Sequence, residues 1–540
     1  AEDGIRDVAV TGVQTCALPI STQAAALRAA QVQALDTAQI AALETADLAA
    51  LATAVVAGLS TAQVAALTTD QLRALTTAQA ASLTGTQAAA LSTAQIGSFE
   101  TADLAALGTG AVAALGTAVV AEMGTAQVVA LSTQQAAALT TAQVAALTTD
   151  QVAALETADL RALTTAQVAA LTTAQVEVLT TAQARALSAT QLRALDTTQV
   201  ATLGTDNLRA LTTDQYGALT TAQVAALTTD QVAALETADL AALSTVQVTA
   251  FSASQLNALG TAQVAALGTV QVAALTTAQL SGLSTDVLNA LTTAQFATLS
   301  ATQAAALTTA QAAALETADV AALKVASLRG MGTELIAALT TDAVRALTTA
   351  QVSQLTTTQV GALTTGQMAA METADLASLS TVQLGRLGTA QLNALDSAQV
   401  AALSTVQVAA LSTAQLSGLD TDHLNALTTA QFATLSASQA ASLTTAQVNA
   451  LETADVAALS TAAFRQLGTA QIAALSTDAM RALTTAQAAA LSTTQAAALA
   501  SDQAAAMTTA GIANLGTAAL AALQRSEEHT SELQSRLHLV

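Results

Sequence analysis

The chain has no tryptophan, one cysteine, one proline, one tyrosine and five phenylalanines in 540 residues. A single thiol, Cys16, excludes an internal disulfide framework. So few aromatics exclude a stacking platform for bases or sugars. Charged residues make up 10% of the chain and the net charge is −22. Nucleic acid and anionic membrane surfaces both need a basic face, so neither is expected as a partner. Hydrophobic residues reach 52%, but alanine supplies most of them and Thr and Gln interrupt every stretch. No run approaches the roughly 18 apolar residues of a membrane helix, so no membrane span is expected. A phosphate-binding glycine loop, a nucleophile motif and metal-ligand spacing are also missing. We therefore expect no enzyme, no cofactor and no metal.

What is present is a period. From Leu27 to Leu523 every eighth residue is Leu, except Phe99, Met123, Phe251, Met331, Met371 and Met507, with no insertion or deletion. The unit reads roughly Leu-Thr-Thr-Ala-Gln-Val-Ala-Ala. A period this strict describes one small structural unit copied many times. Counting the Leu as slot 0, slot 1 is Thr, Ser, Gly, Asp or Glu, and slot 4 is usually Gln or Asp. A capping residue followed three positions later by Gln is a capping box, which makes slot 1 the N-cap and slot 4 the third helical residue. Slots 0 and 5 then flank the cap as a hydrophobic staple. Leu35-Asp36-Thr37-Ala38-Gln39-Ile40 shows every element at once.

Each octad thus starts its own helix. Slots 2 to 7 make about six residues, or roughly 9 Å of helix. A continuous helix fails because eight residues turn it by about 800°, so the Leu stripe would drift by about 80° per octad. A β-solenoid, the alternative, places slots 0 and 5 on opposite faces of a strand and uses alanine, a weak strand former. We predict an all-α solenoid of very short helices, one per octad. Burying one Leu and one Val, at about 2 kcal/mol each, does not offset the ordering entropy of eight residues, about 1.5 kcal/mol each. Octads must therefore stack. Slot 6 carries Arg73, Arg161, Arg185, Arg193, Arg209, Arg329, Arg345, Arg465 and Arg481, so it should face water. Slot 7 is almost always Ala, with Gly or Ser as exceptions, which implies close helix contact there. The octad Glu-Thr-Ala-Asp begins at Glu44, Glu100, Glu156, Glu236, Glu316, Glu372 and Glu452. These octads recur at odd as well as even octad spacings, so consecutive octads should occupy equivalent environments.

The candidate sites each have a plain structural explanation. Pairs such as Glu156/Asp159 and Glu236/Asp239 resemble carboxylates for calcium or acid–base work. Acidic residues in a first helical turn also complement the helix dipole and satisfy free N–H groups, which fits seven scattered copies better. His423 lacks a second His or a Cys and is expected to stand in for Gln at a helix start. Tyr216, Phe296, Phe432 and Phe464 fall in slot 5, and Phe99 and Phe251 in slot 0, where they should fill the core. Rows of Thr at slots 1 and 2 raise ice binding or glycan attachment, but capping already accounts for slot 1.

Both ends leave the period. Residues 1–7 (AEDGIRD), 10–21 (VTGVQTCALPIS) and 525–535 (RSEEHTSELQS) resemble translated sequencing-library adapters. Residues 1–21 and 525–540 are therefore expected to be adapter artefact, and 22–524 the octad solenoid. Cys16, Pro19, His529 and His538 all fall in the end segments. The octads themselves resemble the Thr-Ala-Gln-Val-Ala-Ala-Leu repeats of large bacterial proteins described as adhesin-like or haem-utilisation/adhesion proteins. That resemblance implies a non-catalytic stalk or spacer in a secreted or surface-exposed protein, with other proteins or cell surfaces as partners. Two further readings are an intracellular scaffold for protein–protein interaction and an ice- or glycan-related surface protein. A partner-binding solenoid should carry matched, non-Ala residues at slot 6 of neighbouring octads; the slot-6 arginines look sparse along the sequence, which favours the spacer.

Overall fold

The computed structural model describes residues 21–524, and among them are 63 helices of four to eight residues, from Ser21–Ala24 to Thr517–Gln524, with no strand. The expected end segments lie outside the described residues, apart from Ser21, which opens the first helix. None of the described helices is long and apolar enough to cross a membrane. The fold is an all-α solenoid, as the period predicts. The described residues divide into two compact units, 21–266 and 267–524.

The local rule is the same throughout. Slot 1 is extended, as at Thr148 (φ −71°, ψ 160°), and the helix starts at slot 2, as in Thr149–Ala154. At Asp36 the carboxylate accepts from the Gln39 N–H at 2.8 Å, and Gln39 Oε1 accepts from the Asp36 N–H at 2.9 Å. Helices stop between slots 5 and 7, except the last, Thr517–Gln524, because slot 0 returns to extended backbone, as at Leu155 (φ −55°, ψ 133°). Slots 0 and 5 form the core: Leu147 and Val152 in the first unit, Leu363 and Met368 in the second, are all buried.

Stacking follows a longer step than the octad. In the first unit Thr157–Ala162 packs on Thr181–Ala186, and that helix on Thr205–Ala210. In the second unit Thr373–Ser378, Ser397–Ala401 and Thr421–Asn425 form the same kind of stack. Spatial neighbours are thus three octads apart. Slot-6 side chains reach the slot-7 carbonyl of the helix above: Arg209 Nε donates to Ala234 O at 3.3 Å and Asn425 Nδ2 to Ala450 O at 2.7 Å. Slot 7 explains its small residues in the same way. A Cβ on Gly330 would lie 2.5 Å from the Ala301 carbonyl oxygen, one turn below.

Candidate functional site

The most distinctive chemistry of the fold is a seam of buried glutamines at slot 4. Gln151 accepts the Thr148 N–H at 2.7 Å through Oε1, closing its capping box. Its Nε2 turns the other way and donates to Val120 O at 2.9 Å and Met123 O at 2.6 Å, on the preceding turn. Gln367 does the same in the second unit, donating to Ile336 O at 2.8 Å and Leu339 O at 2.7 Å. Each such side chain therefore links two turns 28 and 31 residues apart in sequence while capping its own helix. Both amide hydrogens and the amide oxygen are used, which is how a polar group tolerates full burial.

Sequence reasoning assigned slot 4 only the capping half of this task. A signal for the other half was available: a capping box accepts Glu as readily as Gln, yet no slot 4 from Gln31 to Ala519 is Glu. A carboxylate accepts but does not donate, and the carbonyls of the turn below need donors.

Aspartate breaks the seam. Asp47, Asp103, Asp159, Asp239, Asp319, Asp375 and Asp455 of the seven Glu-Thr-Ala-Asp octads are all buried, and Oδ2 of both Asp47 and Asp159 is buried without a hydrogen-bond partner. Burial, reinforced by the neighbouring Glu three residues earlier, pushes the carboxyls of Asp159, Asp239, Asp319 and Asp455 up to about 6. Burial also raises Asp103 and Asp375, against hydrogen bonds from the Thr77 and Thr349 hydroxyls and together with Glu100 and Glu372. The glutamates do not satisfy the free N–H groups of the first turn, as had been expected. The glutamates lie exposed at slot 1 and make no side-chain cap, as at Glu156 and Glu236; instead the Glu156 carbonyl takes the N–H groups of Asp159 and Leu160, each at 3.0 Å. Burial opposes charge on the aspartates, which is the reverse of a dipole-stabilised anion. Exposed Glu156 and buried Asp159 do not converge on one open site. Among the described residues no group of three or more His, Cys, Asp or Glu comes together as a metal cluster.

His423 takes the glutamine's place, and more fully than a helix start requires. Its Nδ1 lies 2.5 Å from Asp420 Oδ1 in its own cap, and Nε2 lies 2.6 Å from Leu395 O on the turn below. Because a carbonyl only accepts, Nε2 carries the hydrogen in that contact. Burial raises the Asp420 carboxyl, but the hydrogen bonds from the His423 backbone and ring, together with the charge of that ring, outweigh it and hold Asp420 below the ordinary value.

Among the aromatics, Tyr216, Phe296, Phe432 and Phe464 are fully buried, Phe99 and Phe251 nearly so, and the Tyr216 hydroxyl donates to Leu208 O at 2.7 Å. They fill the core. Slot-6 arginines are exposed, and Arg73, Arg209, Arg345 and Arg481 pair with the aspartate three residues earlier. A shallow polar cleft of about 380 Å³ opens beside Arg329, lined by Ser353, Gln354, Thr356, Thr357 and Ser380 among others.

A profile of the ALTTAQ repeat matches the chain twelve times: residues 40–77, 96–133, 120–157, 152–189, 203–237, 232–269, 272–309, 312–349, 336–371, 368–405, 400–429 and 448–485. These stretches take in well over half of the chain. The chain belongs to the ALTTAQ repeat family. The letters of that name fall on slots 7, 0, 1, 2, 3 and 4: the contact alanine, the core leucine, the threonine cap, the first two helical residues and the seam glutamine. An ALTTAQ motif is therefore the helix junction, running from the close contact of one helix to the inter-turn amide of the next. No curated protein matches the chain.

Proposed function

We propose that this ALTTAQ array is a non-catalytic structural stalk or spacer of a large bacterial protein, adhesin-like and secreted or displayed at the cell surface, with residues 1–21 and 525–540 foreign to it. The observation that carries this reading is the repetition of one bonding scheme: Gln151 and Gln367, in different units, each bind their own cap and two carbonyls of the turn below in the same way. Octads that make the same bonds are interchangeable, and interchangeable units are what a structure selected for length requires. Nothing in such a scheme singles out one octad for chemistry.

Deletion tests the reading. Removing a run of whole octads from the interior of one unit leaves every remaining Gln facing equivalent carbonyls, so the chain should stay folded and become shorter. Removing four residues places slot 4 where slot 0 was and should unfold the surrounding turns. Circular dichroism and small-angle scattering follow both. Loss of folding on in-register deletion, or one octad proving indispensable for binding a defined partner, would sink the spacer assignment.

A further inference from the structure

Spatial neighbours lie three octads apart, so charge patterning has to be read in steps of 24 residues and not of eight. On that step two ladders appear that are invisible along the sequence. Arg161, Arg185 and Arg209 occupy slot 6 of the stacked helices Thr157–Ala162, Thr181–Ala186 and Thr205–Ala210, and all three are exposed. Three of the nine slot-6 arginines are thus neighbours in space although they are spaced out along the chain. In the second unit Glu372, Asp396 and Asp420 cap the stacked helices Thr373–Ser378, Ser397–Ala401 and Thr421–Asn425, and these three are exposed as well.

We propose that these ladders are the two halves of a contact between copies of this chain: the basic ladder of one molecule receives the acidic ladder of another. Three arginines on consecutive turns form a local cationic stripe on a chain whose net charge is −22. The complementary stripe is on the same molecule, and its rungs repeat by the same structural step. Packed helices lie about 8–10 Å apart, and both ladders repeat by the same three-octad step, so their rungs have comparable spacing. Arg161 and Arg185 make no ion pair within their own turns among the described residues, whereas Arg209 touches Asp206 at 3.4 Å while its side chain stays 53% exposed. Asp396 and Asp420 spend one carboxylate oxygen on their caps, and Glu372 makes no cap bond. Because each molecule carries both ladders, the contact can close reciprocally between two copies or continue head-to-tail from copy to copy.

Sedimentation velocity of the full chain tests this with replacements the repeat already uses at each slot. Arg161→Ala/Arg185→Ala/Arg209→Ala installs the commonest slot-6 residue. Glu372→Ser/Asp396→Ser/Asp420→Ser puts a capping hydroxyl at each slot, as Ser60 provides to Gln63. At about 0.1 M ionic strength the screening length is near 10 Å, so facing ladders still attract while distant like charges do not repel. Wild-type chain should then associate in a concentration-dependent manner. In about 1 M salt, where the length falls to about 3 Å, it should dissociate. Each triple variant should remain monomeric, and an equimolar mixture of the two should form a pair of chains and nothing larger. Wild type that stays monomeric, a variant that associates as wild type does, or a mixture that stays monomeric would each overturn the proposal. Binding of dextran sulfate by a wild type that does not self-associate would do so too, and would assign the arginine ladder to an acidic polymer.

Discussion

Asp159→Gln should stabilise the turn it sits in, and the structure indicates by how much. In wild type, Asp159 Oδ2 is buried without a partner, and the Leu131 carbonyl, 28 residues back, lacks the amide that its equivalents receive. Gln151 and Gln167, one octad to either side, show what a glutamine makes of this position: an acceptor for the cap N–H and donors to two carbonyls, at 2.5 to 3.2 Å. Each restored hydrogen bond contributes about 0.5–1.5 kcal/mol, so two between turns amount to about 1–3 kcal/mol. In a repeat array such a gain is local, and a global melting temperature would dilute it. Amide hydrogen exchange at Leu160 and Leu163 reads it directly. Protection there should rise roughly 5- to 150-fold at pH 7, since 1.4 kcal/mol is tenfold. The pH dependence carries a second sign. Burial raises the Asp159 carboxyl to about 6, so the folded turn holds a proton that the unfolded chain, with an ordinary carboxyl near 3.9, has already released. Wild-type protection, corrected for intrinsic exchange, should therefore be greatest below about pH 4, fall as pH rises to about 6, and level off above about 7. The glutamine variant should be flat across that range. Equal protection of the two proteins at pH 7, or wild-type protection that climbs between pH 4 and 7, would refute the reasoning.

Other substitutions test other parts of the junction. Gln367→Ala strips two carbonyls of their donor and the Thr364 N–H of its acceptor; at about 1–3 kcal/mol per abandoned buried group, limited proteolysis should cut near residue 367, and much less after the same change at half-buried Gln391. Gly330→Ala should destabilise by about 1–3 kcal/mol, because its Cβ meets the Ala301 backbone. Gly110→Ala, with nothing within 4 Å, should instead stabilise its helix by about 0.5–1 kcal/mol, so local exchange moves in opposite directions at the two glycines. His423→Gln should leave exchange at Leu424 almost unchanged, and His423→Ala should speed it, since only the former keeps a link to Leu395 O.

The octad was legible because its information is local. Asp36 and Gln39 lie three residues apart, and their reciprocal bonds follow from side-chain length alone. The cap, the staple, the helix start and the core slots all belong to that range. The stacking step was not legible, since nothing in an eight-residue period says how many units close a turn. Every misjudged residue traces to that gap. Slot 4 looked like a cap partner alone because its other bonds reach back 28 and 31 residues, and Arg161, Arg185 and Arg209 looked scattered because their neighbours are 24 residues away. Gly330 was legible in kind, as a close contact, but its partner Ala301 was not.

The seam also has a direction. In Gln151, Gln367 and their equivalents the donor is always on the later octad and the acceptors on the earlier one. As a ribosome extends such a chain, each new glutamine meets carbonyls that emerged about four octads before and are already held in place. The finished part acts as a template and the newest octad as the only loose piece, so folding advances in the same sense as synthesis. Very long arrays can then be made without a long unfolded segment ever waiting for a distant partner, because each seam bond spans only 28 to 31 residues.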